Sequence, residues 1–369
     1  MSEKTKNIAL SCLMAALLLC LSLWSLLREA DEYSLSERRL LASMPELSGE
    51  SLISGSFMED FESFTQDQFP LRDGFRRLKA LSSRYLLGRL DNNGLFFHEG
   101  HLSKLDYPLN DKMLQHASGR FNAVYEQYLK NSGSKLYLSI IPDKNYFLCA
   151  DEAFPCIDYD ALVQTVREDL SWAEYIDIFP LLSLDDYYRT DSHWQQTHIT
   201  PVATKLLESM GAFAGEADYT EVSLPLPFYG VYHGQAALPV EPDTLSYMES
   251  AALSTCTVTD YDSGKAVPGQ VYDLEAAAGR DGYEMFLCGS SALVTLENPS
   301  AETDRELIIF RDSFAGSLAP LMAHSYGKIT LVDLRYINSA FLGNFVDFEN
   351  CDVLFLYSSM LLNNSMGIK

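Results

Sequence analysis

Positive charge is scarce in this chain. Its 369 residues hold 27 Lys and Arg against 51 Asp and Glu, a formal net charge of −24. Nucleic acid and anionic lipid are both gripped through basic patches, so nonspecific affinity for either is excluded. A neutral or locally cationic partner suits such a surface better. Metal-type cysteine spacing is also missing: there is no CxxC pair and no Cys/His array of the zinc kind. No internal repeat and no low-complexity tract interrupts the sequence. The 47% of hydrophobic residues is enough for a sizeable core, in one large α/β domain with additions or in two domains.

Charge is absent altogether from one stretch. Ile8 to Leu27 contains twenty uncharged residues, mostly Leu, Ala and Met. At about 1.5 Å rise per residue such a helix matches the hydrocarbon core of a bilayer. Lys4 and Lys6 precede it, and Arg28, Glu29, Asp31 and Glu32 follow. The positive-inside rule then puts the N-terminus in the cytoplasm and the rest of the chain outside. A cleaved signal peptide would have a shorter apolar region and a small-x-small site; this run ends Ser22-Leu23-Trp24-Ser25-Leu26-Leu27. The expectation is an uncleaved anchor over residues 1–30 and a polar stalk over 31–56. Two of the seven cysteines, Cys12 and Cys20, fall in the anchor. Of the others, Cys149 and Cys156 are close enough in sequence to bridge in an oxidising compartment.

Beyond the stalk, apolar residues at helical spacing run from Phe57 to Leu87 with Pro70 between them, which predicts two helices. Leu95–Leu105 reads as a hairpin around Glu99-Gly100, and Asp111–Lys130 as an amphipathic helix. Strand candidates then alternate with helix candidates. The strands are Leu136–Ile141, Ile176–Phe179, Glu306–Phe310, Lys328–Leu334 and Asp352–Tyr357; the helices include Tyr159–Tyr175 and Thr200–Met210. That alternation predicts a parallel sheet covered by helices on both faces, over residues 57–369. Residues 214–299 break the rhythm. They are rich in Pro, Gly, Ser, Thr and Tyr and read as a β-rich insertion.

Two segments carry chemistry. In Leu307-Ile308-Ile309-Phe310-Arg311-Asp312-Ser313-Phe314-Ala315-Gly316 a buried strand runs into a helix. A serine at this turn stands at the carboxyl end of the sheet, where ligands of open α/β sheets bind, beside helix N–H groups suited to an oxyanion. The competing reading is a helix cap at Asp312 or Ser313. In Thr190-Asp191-Ser192-His193-Trp194 a carboxylate lies two residues before an imidazole. Serine is a weak nucleophile and needs a base, and the base needs a partner that fixes its tautomer. Ser313, His193 and Asp191 supply those three parts, though a capping Asp and a core His are the ordinary alternatives. Asp191, His193 and His198 also suggest a metal, but no further ligand cluster completes a site. Lys144 and Arg335 each follow a predicted strand and are candidates for binding a substrate carboxylate or an oxyanion, against a surface ion pair as the ordinary reading.

Thr190-Asp191-Ser192-His193-Trp194, followed far downstream by Arg311-Asp312-Ser313-Phe314, resembles the DHHW group, which is related to the alginate-O-acetyltransferase-like branch of the SGNH hydrolase superfamily. The likeness extends to Glu37-Arg38-Arg39-Leu40, Met44-Pro45-Glu46-Leu47, Asp67-Gln68-Phe69-Pro70-Leu71-Arg72-Asp73, Asn92-Asn93-Gly94, Ile141-Pro142-Asp143-Lys144 and Asp333-Leu334-Arg335-Tyr336. It thus covers nearly all of the chain after the anchor. The resemblance implies a flavodoxin-like, SGNH-like three-layer α/β sandwich, with Ser313 as nucleophile, His193 as base and Asp191 as orienting acid. Ser192 stands at the second position of the motif, where it has its first His, and Arg311 where ordinary SGNH hydrolases have a glycine. The implied activity is transfer of an acetyl group to a hydroxyl of a cell-surface polysaccharide, without cofactor or metal. The acetyl donor would be a polytopic membrane O-acyltransferase. An esterase with the same three residues and a noncatalytic glycan-binding or assembly protein are the alternatives.

Overall fold

The computed structural model describes residues 2–149, 154–212 and 218–369. The chain divides into two compact units. One comprises residues up to 89 together with Gly234–Pro239, the other residues 90–233 and 240–369.

The first unit begins with helix α1 (Glu3–Leu27), capped by the Ser2 side chain on the Thr5 amide. Most of its apolar side chains are exposed, among them Leu10, Leu13, Leu17 and Leu19, and by length and composition it is able to cross a membrane. Two further helices, α2 (Ser56–Asp67) and α3 (Arg72–Leu81), flank Pro70 as the sequence predicts. Between them and the stalk lies an ion-pair network. Arg39 forks onto Asp67 at 2.8 and 2.5 Å. Arg72 meets Glu37 at 2.5 Å, and Arg76 meets the same carboxylate at 3.2 Å. The hydrogen bonds from Arg39 hold the Asp67 carboxyl down to about 2. Two segments quoted for the family likeness, around Arg39 and around Asp67, are therefore joined in space.

The second unit is built on an eight-stranded sheet. Its strands are β1 (Lys135–Ile141), β2 (Glu174–Tyr175), β3 (Thr257–Asp260), β4 (Val267–Gly269), β5 (Leu293–Glu297), β6 (Glu306–Arg311), β7 (Lys328–Val332) and β8 (Asp352–Ser358). They lie in the order β4–β3–β5–β7–β6–β8–β1–β2. From β7 through β6, β8 and β1 to β2 every pairing is parallel. On the other side β7–β5, β5–β3 and β3–β4 are antiparallel. The central strands are short apolar runs because both faces are covered. Along β6, Leu307 and Ile309 enter one core, with helices α6 (Thr200–Ser209) and α7 (Ala315–Met322). Ile308 and Phe310 enter the other, with helices α4 (Asp111–Val124) and α5 (Tyr159–Asp169). The result is a three-layer α/β sandwich.

Some expectations need adjusting. The predicted insertion is not a separate β body: β3, β4 and β5 extend the main sheet, and only Thr220–Phe228 and Asp243–Glu249 form a pair of their own. Its first residues, 214–217, lie outside the described residues. The second strand ends at Tyr175, and Phe179–Leu181 form a 3-10 turn instead; Ile176 still donates to Leu138 of β1. The helix predicted over Tyr159–Tyr175 stops at Asp169. The hairpin at Glu99-Gly100 forms between Leu95–His98 and His101–Lys104, with positive φ at both turn residues. The expected Cys149–Cys156 bridge is not made. Both are free thiols, and Cys149 is raised by burial and by a hydrogen bond with Cys156.

Candidate active site

Ser313 lies just beyond the end of β6 and two residues before α7. The turn is fixed by its neighbour. One Asp312 oxygen accepts the Phe314 amide at 3.1 Å and the other the Ser358 amide at 2.8 Å, at the end of the adjacent strand β8. Neither Asp312 nor Ser313 caps α7 by its side chain, since the N-cap is Phe314; Asp312 fastens the turn before the helix instead. The Ser313 hydroxyl is turned elsewhere, to His193 Nε2 at 2.7 Å.

His193 sits in a tight loop closed by the bridge between Tyr187 and Trp194. Its Nδ1 is 2.5 Å from Asp191 Oδ1, and the same oxygen accepts the His193 amide at 3.1 Å. With Nδ1 facing a carboxylate, that nitrogen carries the proton and Nε2 is left to accept from Ser313. Asp191 is 1% exposed, and its Oδ2 accepts the Val231 amide at 2.8 Å. This buried carboxylate has its acceptor positions filled by donors, as burial of a charge requires.

Two further residues, Asp243 and Gly230, build the loop and were not singled out by sequence. Asp243 accepts the amides of Arg189 at 2.8 Å and Thr190 at 2.9 Å, and the Thr190 hydroxyl at 2.5 Å. The Thr190 hydroxyl in turn accepts the Gly230 amide at 2.8 Å. Gly230 has to be glycine: a Cβ there would stand 2.3 Å from Asp191 Cβ and 2.5 Å from the Thr190 carbonyl. No local pattern marks a glycine whose reason is a chain segment about forty residues away.

The other residues that sequence singled out take different places. Lys144 is buried, and its ammonium points at the carbonyls of Leu102, Tyr188 and Arg189. Burial pushes it down to about 7, against the pull of Asp191, Asp243 and Asp143. It ties the loop before Asp191 to the hairpin. Replacement of Lys144 by methionine is expected to leave buried carbonyls short of donors and to lower stability by about 1–3 kcal/mol, read from the denaturation midpoint. Arg335 is forked onto Asp333 through Nε at 2.9 Å and Nη2 at 2.6 Å. Burial opposes its charge, but the bonds to Asp333 win and hold the guanidinium above its ordinary value. Among the described residues, neither Lys144 nor Arg335 bonds to Ser313 or His193. His198 faces the Asp185 carbonyl at 3.1 Å and Asp186 at 3.4 Å. No group of three or more His, Cys, Asp or Glu among the described residues is arranged to hold a metal. Arg311, where a glycine is usual, is fully buried with Nη2 on the carbonyls of Gly289 and Ser291. It braces the strand leading to Ser313 against the stretch before β5.

A hydroxyl, an imidazole whose free nitrogen faces it, and a buried carboxylate behind the ring thus stand in one hydrogen-bonded line. No family model matches the chain, and no curated protein matches it. Solved structures share its fold. A DHHW family protein from Eubacterium siraeum superposes with a TM-score of 0.59 at 20% identity, covering 75% of this chain and 95% of that one. PatB1 from Bacillus cereus, in a structure with a sulfonyl adduct, superposes with a TM-score of 0.59 at 19% identity, covering 73% of this chain and 95% of the other.

Proposed function

We propose that this chain is a membrane-anchored, extracytoplasmic O-acetyltransferase that carries an acetyl group on Ser313. The observation that carries the reading is the unbroken hydrogen-bond line from Ser313 through His193 to Asp191. His193 Nε2 takes the hydroxyl proton as the Ser313 oxygen attacks the acetyl carbonyl of the donor. The resulting imidazolium returns the proton to the leaving group, and Ser313 is left as an acetyl ester. In the second half a sugar hydroxyl gives its proton to His193 and attacks that ester; the imidazolium passes the proton to the departing Ser313 oxygen, which restores Ser313 and leaves the acetyl group on the sugar. The Phe314 amide is committed to Asp312 and does not serve the forming oxyanion. Asp191 keeps the Nδ1 proton in place and supports the imidazolium.

The uncharged run Ile8–Leu27 of helix α1, with Lys4 and Lys6 before it, holds the protein in the membrane with its sheet outside. An acetyl donor at the membrane, of the polytopic acyltransferase kind, and a surface polysaccharide as acceptor fit that location. The capture of PatB1 with a sulfonyl adduct suggests the matching probe for this chain: a sulfonyl fluoride, with Ser313 as the expected site of attachment. The deciding assay uses the full-length protein in detergent with a chromogenic acetyl ester, with and without oligosaccharide. Faster ester cleavage with oligosaccharide, together with acetylated sugar in the mass spectrum, is expected. Cleavage to free acetate alone would make it an esterase. No Ser313-dependent cleavage would leave the noncatalytic glycan-binding reading.

A further inference from the structure

Ser313 and Asp191 meet the edges of the His193 ring, but one of its faces belongs to the region between α6 and β5. Tyr283 lies flat against the imidazole, with ring centroids 3.8 Å apart and planes only 8° from parallel. Phe314, next to Ser313, approaches at 4.9 Å and a tilt of 55°. Tyr283 itself is buried and held on all sides. Asp281 accepts its amide at 3.2 Å. The rings of Tyr188 and Phe286 pack against it at 6.3 and 5.1 Å.

The hydroxyl of Tyr283 is engaged elsewhere. It lies 2.8 Å from Ser317 Oγ. Ser317 has one proton and two acceptor positions. The proton has the Phe314 carbonyl at 3.2 Å, and the Trp194 indole N–H donates to the oxygen at 2.9 Å. The Trp194 N–H also reaches the Phe314 carbonyl at 3.2 Å, so either hydroxyl can be the donor of the Tyr283–Ser317 bond. The one polar group of the Tyr283 side chain is turned away from the imidazole, so what it offers His193 is a π face.

We propose that Tyr283 is a positioning residue of this site: its ring is the shelf that fixes the plane of the His193 imidazole and stabilises the imidazolium formed when the Ser313 proton is taken. The shelf is a property of the resting protein, whereas the stabilisation of the cation rests on the acyl-transfer reading above. A cation within about 6 Å of an aromatic face is favoured by the ring's quadrupole. Neutral imidazole gains less from the same contact. The effect therefore falls on the transition state, and hence on kcat rather than KM.

The test uses the full-length protein in detergent with Tyr283→Phe, Tyr283→Leu and Tyr283→pentafluorophenylalanine. Phenylalanine keeps the shelf and leaves Ser317 with partners for both its proton and its oxygen. Pentafluorophenylalanine keeps the ring but inverts its quadrupole, so it separates electrostatics from packing even if the leucine variant folds poorly. The expected result is kcat within about threefold of the parent for phenylalanine and roughly tenfold lower for the fluorinated ring, with KM nearly unchanged. Equal kcat for the two rings would overturn the electrostatic role. The shelf is read without turnover, from the downfield proton resonance of the His193–Asp191 hydrogen bond. It should persist with either ring and broaden in the leucine variant; persistence in all three would overturn the positioning role. A protein with no Ser313-dependent turnover would fail the acyl-transfer reading and leave this second readout to decide the shelf alone.

Discussion

Replacement of Ser313 by alanine is expected to reduce acetyl-ester turnover by at least about 10⁴-fold while leaving the fold in place. The hydroxyl makes one side-chain contact, the 2.7 Å bond to His193 Nε2, and the residue is only partly buried. The strand–turn–helix around it is held by Asp312, whose two oxygens fasten the Phe314 and Ser358 amides. The change therefore removes a nucleophile without leaving a buried donor or acceptor stranded, and His193 retains its bond to Asp191. A shift in stability within about 1 kcal/mol is expected. Turnover and thermal midpoint measured on the same preparation separate the two effects. Substantial turnover in a folded Ser313→Ala protein would remove the acyl-enzyme from the mechanism.

The strands of the central sheet were legible because each buried one is a compact apolar run, as in Leu307-Ile308-Ile309-Phe310. The register that brings Ser313 to the carboxyl rim follows from such a strand ending in small and polar residues. Asp191 and His193 were legible because their contact is local: two residues of one tight loop. What supports them was not. Val231 and Gly230 reach Asp191 and Thr190 from about forty residues downstream, Asp243 from about fifty, and Tyr283 reaches His193 from ninety. A lone Gly, Val, Asp or Tyr in a stretch without helical period has no local feature that reports such a partner. The three antiparallel strands that complete the sheet were hidden for a related reason. Val267-Pro268-Gly269 pairs on one side only, as an edge strand, where proline is tolerated and apolar density is not required. Lys144 illustrates the converse. Its position after a strand suggested a group at the rim, but the carbonyls of Leu102, Tyr188 and Arg189 capture its ammonium inside the protein.

The Asp191→Asn variant is expected to lose activity on the order of 10³–10⁴-fold, and the geometry shows why an amide of nearly the same shape does not serve. Asp191 faces donors at both oxygens: the His193 amide and Nδ1 at Oδ1, and the Val231 amide at Oδ2. Asparagine has one acceptor oxygen and one donor nitrogen, so it cannot satisfy both ends. If its nitrogen takes the Oδ1 position, it meets the His193 amide donor to donor and makes His193 Nδ1 an acceptor. The proton then moves to Nε2, which points an N–H at Ser313 where a base is needed. If its nitrogen takes the Oδ2 position, the tautomer survives but the Val231 amide is left buried against another donor. That arrangement costs about 1–3 kcal/mol and loosens the turn that fixes Asp191. Nor does either orientation supply the negative charge that supports the imidazolium. The His198→Ala variant is the matched control, since among the described residues the His198 ring bonds to Asp185 and Asp186 and not to Asp191 or Ser313; its turnover should stay within about twofold of the parent. Comparable losses in the two variants would point to a shared effect on the loop rather than to the tautomer, and an Asp191→Asn protein with a tenth or more of normal turnover would remove Asp191 from its orienting role.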